Sequence, residues 1–534
     1  MSPSVRPYGS TCATAVFSFP WWLSFLIGFL SLSEEILWVR VAGFTYQTLP
    51  PAFSFVLVCY LAGIALGAIY GKRLCERSKN LYGAAAIVLS VSALGDMLNP
   101  WIIANLIDPG DSNLGVPAVA IALTAGLKST LFPIVHHLGS MAQGPRVGRS
   151  VSRIYFGNII GATLGPLVTG FVALDYLSVD QCFGIAAAIC LLASFACVLK
   201  SARPKLVLLT LAAAMLASAI ASSSLRPGAG SLGQLAAGGP QFMTHFIANR
   251  HGVIHTSRTG VGDIVFGGNV YDGVAAVNVD SNPNRLDRLY IMATLQPKLK
   301  SVLFVGLSAG AWVRAIEGFP GVERIDVVEI NPAYVELIRA YPELAPLLND
   351  PRIHIHIDDG RRWLRRNPDS RFDAIVQNTT YHWRANVGNL LSREYFLALQ
   401  QHLNPGGIVV TNTTGSSDVL ATAQAVFAYA YRYTNFLYAS DHPLSPDLAG
   451  LSAVRRPEGG AFTFESSAAN SVVVLLSNAR LDPVREFLAR HNFDAEIITD
   501  DNLLSEYRHG RRFGPKVLQS LLPPAGTDFD FKGP

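Results

Sequence analysis

The sequence predicts a multi-span α-helical membrane domain followed by an α/β Rossmann-like domain, with a small β-sheet preceding the second domain. Half of the 534 residues are hydrophobic, only 15% are charged, and the mean hydropathy is +0.31, which is typical of a membrane protein fused to a soluble one. Apolar stretches of about 20 residues, the length that crosses a bilayer, recur as far as residue 225. Beyond residue 296, short apolar strands alternate with helical segments, which indicates a mostly parallel sheet with helices on both faces.

Changes in composition divide the chain into four segments. Residues 1–225 form the predicted polytopic domain, and a linker rich in glycine, serine and proline follows at 226–250. Short β-type runs punctuated by glycine and asparagine predict a small β-domain over 251–295. The remaining residues, 296–534, carry the predicted Rossmann-like domain. A net charge of +4 is too small to indicate a nucleic-acid partner.

Seven apolar segments are long enough to be membrane spans, so the lipid bilayer is an expected partner. They lie near residues 14–33, 52–70, 82–106, 115–135, 154–174, 181–199 and 205–222. Basic residues concentrate in the loops at 71–80 and 137–153, whereas the intervening loops are acidic or neutral, and this places the N-terminus inside. With seven spans, the C-terminal half lies outside the cytoplasm. If 205–222 lies in the membrane–water interface instead, six spans remain and the C-terminal half lies inside. We expect a multi-pass protein of a bacterial plasma or inner membrane, with the side of its C-terminal half left open.

Three charged residues, Glu34, Glu35 and Arg40, stand at the end of the first apolar span. Charges at membrane depth are costly and often functional, which keeps the transport of a cation among the candidate functions. The alternative is an interfacial ion-paired cluster, because a helix brings residues four or five positions apart close to one another.

The stretch 301–331 combines a strand, a glycine-containing turn, a helix and a second strand that ends on an acid. In the turn, Gly306, Ser308 and Gly310 are small enough to let backbone N–H groups approach a ligand. Glu329 lies 23 positions after Gly306, close to the spacing of about 20 at which an acid accepts hydrogen bonds from ribose hydroxyls. The pattern predicts a nucleotide or nucleoside site. The alternative is a turn that only packs a helix against a strand.

Polar residues also end the next two predicted strands. The strand at 352–357 runs into Asp358 and Asp359, and the strand at 373–377 ends on Gln377. Ligands of such sheets bind beyond the carboxyl ends of the strands. We therefore expect these residues and Glu329 to converge on one crevice.

Eight short motifs recur in positions typical of one protein family, at residues 33–40, 305–310, 327–331, 358–361, 372–376, 391–396, 403–407 and 499–507. They resemble those of the spermidine synthase (polyamine aminopropyltransferase) family, in particular members fused to a membrane domain. That family has the class I S-adenosylmethionine-dependent methyltransferase fold preceded by a small β-domain. The resemblance implies a transferase of polyamine biosynthesis.

The resemblance also implies roles for the candidate site residues. The turn with Gly306, Ser308 and Gly310 would face the methionine-derived part of an adenosyl sulfonium donor. Glu329 would bind its ribose, and Asp359, beside Asp358, would bind the adenine amino group. The cosubstrate would be S-adenosylmethionine or its decarboxylated form, with no tightly bound cofactor and no metal. The acceptor would be a small molecule such as a polyamine, and the protein would form a homodimer.

The sequence departs from the family pattern where the acceptor would react. Gln377 stands where the family has an aspartate that holds the polyamine and takes its proton, and an amide is not a base near neutral pH. The run 289–292 replaces an expected Tyr-His-Glu signature. His382 is therefore the candidate base, and Gln377 is a candidate for orienting the amine. The alternatives are an aromatic loop that only caps the sheet, and a protein that binds its ligand as a sensor without turnover.

Overall fold

The computed structural model separates the chain into two compact units. One comprises Met1–Thr45 and Pro51–Leu235, and the other comprises Tyr46–Pro50 and Ala236–Pro534. The residues that the structure describes are 18–108, 113–141, 147–201, 208, 212, 229–378, 380–457, 459, 468–502, 504–508, 513 and 529.

The first unit contains, in its described residues, six helices that are long and apolar enough to cross a membrane. They are α1 (Phe19–Thr45), α2 (Pro50–Arg77), α3 (Leu81–Leu106), α4 (Gly115–Met141), α5 (Val147–Val168, continued through a π-helical turn at Thr169–Ala173) and α6 (Val179–Val198). A short helix, α7 (Gly230–Gln234), follows within the predicted linker. The predicted multi-span domain is confirmed, and the proposed seventh span at 205–222 lies almost entirely outside the described residues.

Glycines let these helices approach closely. A Cβ atom at Gly63 or Gly67 would lie 2.3 or 2.1 Å from a backbone oxygen of α4, which no neighbouring backbone can accommodate. Gly161 of α5 meets the Phe25 carbonyl of α1 in the same way, at 1.9 Å. Small residues therefore fix the helix contacts, as expected for association in lipid.

A buried ion cluster of three residues, Glu34, Asp96 and Lys128, joins α1, α3 and α4. The Lys128 Nζ lies 2.7 Å from Glu34 Oε2 and 2.8 Å from Asp96 Oδ1, and each of the three side chains is at most 1% exposed. Ser92 Oγ accepts a further hydrogen bond from Lys128 Nζ at 3.0 Å. The predicted first span, 14–33, stops one residue before Glu34, whereas helix α1 continues for eleven residues beyond Glu34. The Glu34 side chain pairs with Lys128 inside the bundle and does not terminate the helix.

The small β-domain is a four-stranded antiparallel sheet in the order β1-β2-β3-β4. Its strands are β1 (Met243–Asn249), β2 (Gly252–Thr259), β3 (Gly262–Gly267) and β4 (Val270–Val274). The sheet starts eight residues earlier than the predicted boundary at 251. Strand β1 lies within the range predicted as a linker. Its backbone pairs with that of β2, so this segment is part of the sheet and not a linker.

An eight-stranded sheet forms the centre of the Rossmann-like domain, in the order β12-β10-β11-β9-β8-β5-β6-β7. Strands β5 to β9 are parallel, and β10 to β12 extend the sheet in antiparallel pairs. The strands are β5 (Ser301–Val305), β6 (Arg324–Glu329), β7 (Ile353–Ile357), β8 (Phe372–Gln377), β9 (Leu403–Asn412), β10 (Tyr429–Tyr433), β11 (Phe436–Ser440) and β12 (Asp482–Pro483).

Helices cover both faces of this sheet, which confirms the predicted α/β class. They are α8 (Asp287–Leu295), α9 (Ala311–Ile316), α10 (Ala333–Arg339), α11 (Gly360–Arg366), α12 (Arg393–Gln401), α13 (Ser417–Gln424), α14 (Val472–Ser477), α15 (Val484–His491) and α16 (Leu504–Arg508). One apolar core joins β2, β3, α8, α9 and α10 to the sheet, and a second joins α11, α12, α13 and α15 to its opposite face. In the parallel register, Val305 is paired with Val328 and with Gln377, so Gly306, Glu329 and Asn378 end neighbouring strands side by side.

Candidate functional site

The turn after β5 has the backbone geometry that its glycines predict. Gly306 and Gly310 have φ angles of +94° and +78°, a backbone region that residues with a Cβ atom rarely adopt. Ser308 also has a positive φ, of 51°, and its hydroxyl donates a hydrogen bond to the Asp272 carbonyl. That bond ties the turn to β4 of the small sheet and offsets part of the strain at a non-glycine residue.

Glu329 holds the same turn from β6. Its Oε2 accepts a hydrogen bond from the Leu307 N–H at 2.8 Å, and its Oε1 accepts one from the Asn331 N–H at 2.8 Å. Burial raises the pKa of Glu329 to about 7, although both N–H groups act in the opposite direction. The carboxylate thus sets the shape of the turn at the strand end where a ribose would lie.

Replacing Glu329 by glutamine should loosen the turn. The amide nitrogen of glutamine would face one of the two N–H groups, and a buried donor left without an acceptor costs about 1–3 kcal/mol. We expect the Glu329→Gln variant to lose about 1–3 kcal/mol in its free energy of unfolding. It should also bind an adenosyl donor at least tenfold more weakly, which corresponds to about 1.4 kcal/mol of binding free energy. Thermal unfolding and titration calorimetry on the full chain measure both effects. Glu323→Gln, at an exposed position before β6, is the matched control, and equal behaviour of the two variants would contradict this role.

Asp358 and Asp359 follow β7, next to the end of β6. Asp359 caps α11, since its Oδ1 accepts a hydrogen bond from the Arg362 N–H at 2.8 Å. Asp358 forms ion pairs with Arg362 and with Arg366, the latter at 3.3 Å, and the Arg362 guanidinium helps to lower the pKa of Asp358. Both carboxylates therefore have partners within α11.

An open cavity lies beyond the carboxyl ends of β5, β8 and β9. The turn after β5 forms one wall, strand β4 and the loop before α8 form another, and amide side chains form the floor. Its lining includes Tyr271, Asp272, Asn284, Arg285, Arg288, Gly306, Ser308, Gly310, Asn378, Thr380, Tyr381, Asn412, Thr414, Asn435 and Phe436. In the floor, Asn435 Nδ2 donates to Asn412 Oδ1 at 2.7 Å, and Asn412 Nδ2 donates to Asn378 Oδ1 at 3.1 Å.

Asp272 is the carboxylate in this cavity lining. Its Oδ2 accepts a hydrogen bond from the Tyr334 hydroxyl, and its own backbone carbonyl holds Ser308. Burial raises the pKa of Asp272 to about 6, and the Tyr334 hydroxyl and the nearby Arg384 guanidinium lower it in part. A carboxylate with that pKa beside a cavity is suited to take a proton near neutral pH.

Two arginines also line the cavity, Arg285 from the loop before α8 and Arg288 from the first turn of α8. Arg285 Nε lies 3.3 Å from Asp287 Oδ1, so that its charge has an acidic partner. Arg288 is 7% exposed, and its Cζ lies 5.5 Å from the centre of the Phe436 ring. The two guanidiniums give this wall a positive charge.

Comparisons with known proteins agree with the fold and with the motifs. Residues 290–432 match the Spermine/spermidine synthase domain. The polyamine aminopropyltransferase of Mycobacterium tuberculosis is 25% identical over 372 residues, which cover 67% of this chain and 70% of that protein. The chain carries a spermidine synthase-like domain. Shorter matches include the polyamine aminopropyltransferase of Alkaliphilus oremlandii, 34% identical over 120 residues (22% of this chain, 41% of that protein), and the spermine synthase of Arabidopsis thaliana, 33% identical over 111 residues (21% of this chain, 31% of that protein).

The spermidine synthase-like domain makes the chain a transferase, as the motifs predicted. Of the predicted donor-site residues, Gly306, Ser308 and Gly310 line the cavity. Glu329 contacts the turn from the end of β6, and Asp358 and Asp359 lie one strand further along the sheet.

The two candidate catalytic residues lie behind the cavity lining of the spermidine synthase-like domain. Gln377 is fully buried, and its Nε2 donates to the Leu390 carbonyl at 2.8 Å, whereas the next residue, Asn378, lines the cavity. His382 is 2% exposed, and its Nδ1 lies 2.7 Å from Thr414 Oγ1. Thr414 itself lines the cavity, so His382 is separated from it by one hydroxyl group.

Asp272 and Arg288 were not among the residues predicted for the site. Asp272 lies in Tyr271-Asp272-Gly273, an acid within a short strand next to a glycine with φ +119°. Arg288 follows Asp287 at the start of helix α8, every residue of which is buried. A charged residue at a position that the local pattern buries was the available signal for both.

Proposed function

We propose that the chain is a membrane-anchored transferase that moves an aminopropyl-type group from an adenosyl sulfonium donor to a small amine. The donor is S-adenosylmethionine or its decarboxylated form. The observation that carries the proposal is the cavity that the glycine turn after β5 and Asp272 both line. The family of the domain and the names of its relatives support the same reaction class.

The donor would lie across the ends of β5 and β6. Its ribose hydroxyls would reach the Glu329 carboxylate, and its sulfonium-bound chain would pass the turn from Gly306 to Gly310 into the cavity. The acceptor nitrogen would attack the methylene carbon bonded to sulfur. A C–N bond forms, the C–S bond breaks with its electron pair retained by sulfur, and methylthioadenosine leaves.

Asp272 would take the proton that the acceptor amine loses, in place of the family's aspartate at the position of Gln377. It lines the cavity, whereas His382 lies behind Thr414. The chain of amides from Asn435 to Asn378 would orient the amine by accepting its N–H groups. Positioning and removal of one proton are the main demands of this reaction.

The pH profile follows from the pKa of Asp272. Its pKa lies at about 6 because of burial, and the base acts in its deprotonated form. With both substrates saturating, we expect kcat to fall about tenfold per pH unit below pH 6 and to level off above it. Asp272→Asn should lack this acidic limb. A limb that persists in that variant would assign the base to another group.

Product analysis tests the proposal on the full chain in detergent or nanodiscs. Incubation with decarboxylated S-adenosylmethionine and a set of amines should release methylthioadenosine and an equal amount of alkylated amine, both measured by mass spectrometry. Release of S-adenosylhomocysteine from S-adenosylmethionine would instead indicate methyl transfer. No consumption of either donor would refute the proposal. Retention of the chain in membranes washed with alkaline carbonate tests the anchoring.

The buried ion cluster favours a second candidate, a role in moving a cation across the membrane. Glu34 and Asp96 share the single ammonium of Lys128 inside the helix bundle, and ionisable residues at such depth commonly lie on ion pathways. Uptake of a labelled amine into proteoliposomes should then fall in a Glu34→Gln variant. Equal uptake with and without protein would rule this function out.

A further inference from the structure

The cavity contains a guanidinium, that of Arg288, which no acid among the described residues contacts. Arg288 is more than nine-tenths buried and lines the cavity, and its Nε atom has no hydrogen-bond partner among the residues that the structure describes. Within the part of the chain that the structure describes, its guanidinium contacts the Phe436 ring and forms no ion pair. Burial lowers the pKa of Arg288, as expected for a charge that the protein itself neutralises poorly.

The neighbouring acid is already engaged. Asp287 accepts hydrogen bonds from Asn282 Nδ2 at 2.6 Å and from the Tyr433 hydroxyl at 3.0 Å, and it pairs with Arg285 at 3.3 Å. Asp287 therefore affects the Arg288 guanidinium electrostatically, without a direct contact. A buried charge without a contact partner is expensive, and such groups are retained where a ligand completes the pair.

We propose that Arg288 binds a carboxylate of the substrate. The inference rests on the proposed function and deepens it, because it names a chemical class for the reactants. A planar guanidinium forms paired hydrogen bonds with a carboxylate, and in a buried site such a pair is strong. A fully cationic polyamine would instead bring two ammonium groups to a wall that holds two guanidiniums and one carboxylate.

Two substrates can supply the carboxylate. If the donor keeps it, the donor is S-adenosylmethionine, and the group that moves is 3-amino-3-carboxypropyl. If the acceptor carries it, an aminopropyl group moves to the side-chain amine of an amino acid. In both cases a C–N bond forms, the C–S bond breaks to release methylthioadenosine, and the amine proton passes to Asp272.

Two matched pairs of compounds distinguish these sources. S-adenosylmethionine differs from its decarboxylated form by one carboxylate, and ornithine differs from 1,4-diaminobutane in the same way. Donor affinity is measured by calorimetry and acceptor kcat/KM by methylthioadenosine release, on the full chain in nanodiscs. The variants are Arg288→Met, Arg288→Lys and the control Arg365→Met at an exposed position of α11.

We expect the wild-type protein to prefer the carboxylate-bearing member of one pair. Arg288→Met should weaken the binding or kcat/KM of that member on the order of 100-fold and change the decarboxylated member by less than about threefold, as loss of one partner of a buried charge pair predicts. Arg288→Lys should retain part of the preference. Preference for the decarboxylated member in both pairs, or equal loss for both members, would overturn the inference. Binding of neither donor by the wild type would overturn the proposed function itself.

Discussion

Replacing Asp272 by asparagine should lower kcat by about 10²- to 10⁴-fold, the usual contribution of a general base. The asparagine keeps the size of the side chain and its hydrogen bond from Tyr334, but it cannot accept the proton of an attacking amine. Donor affinity should change little, because the donor contacts proposed here lie at the turn and at Glu329. Single-turnover release of methylthioadenosine measures the chemical step directly.

Two further variants test the assignment to Asp272. Asp369→Asn, at an exposed position, should behave like the wild-type protein. Asp272→Glu should recover part of the rate, because it restores a carboxylate in the same wall. A rate for Asp272→Asn within about threefold of the wild type would remove Asp272 from the chemical step, since a lost base costs at least about a hundredfold.

Replacing Lys128 by methionine should destabilise the helix bundle by about 3–5 kcal/mol. The change removes the ammonium that two buried carboxylates share at 2.7 and 2.8 Å and leaves their charges without compensation. For a unit of this size, the expected fall in apparent melting temperature is on the order of 10 °C. Thermal unfolding in detergent, followed by circular dichroism, measures it.

Lys72 provides the matched control in the same unit. It pairs with Glu76 at 3.9 Å on the surface, where such pairs contribute about 0–1 kcal/mol, so Lys72→Met should unfold near the wild-type temperature. A triple variant, Glu34→Gln, Asp96→Asn and Lys128→Met, removes all three charges and should recover much of the stability. Equal melting temperatures for Lys128→Met and Lys72→Met would contradict a stabilising ion cluster.

Features set by local patterns were predictable from the sequence. The strand, glycine turn and acid at 301–331 form as expected, because small residues are needed where φ is positive and Glu329 ends a buried strand. The alternation of strands and helices beyond that stretch predicted the parallel sheet, and this alternation is also a local pattern. These features depend on residues within about 30 positions of one another.

Features set by contacts between distant residues were not predictable. Glu34, Asp96 and Lys128 are more than 90 positions apart from first to last, and they lie in three different helices. Asp272 and Arg288 reach the cavity only because β4 and α8 pack beside the turn after β5. Gln377 lies behind the cavity lining, whereas the next residue, Asn378, lines the cavity. Because side chains alternate along a strand, an error of one position in the prediction selects a side chain that faces away from the ligand.

A structure of the full chain with bound methylthioadenosine would show directly whether the adenosyl donor binds at the turn after β5. The nucleoside should lie at the carboxyl ends of β5 and β6, with ribose hydroxyls within hydrogen-bond distance of the Glu329 carboxylate. Its sulfur should face the cavity between the Gly306–Gly310 turn and Asp272. A nucleoside bound elsewhere, or a site that stays empty at millimolar concentration, would contradict the proposed reaction.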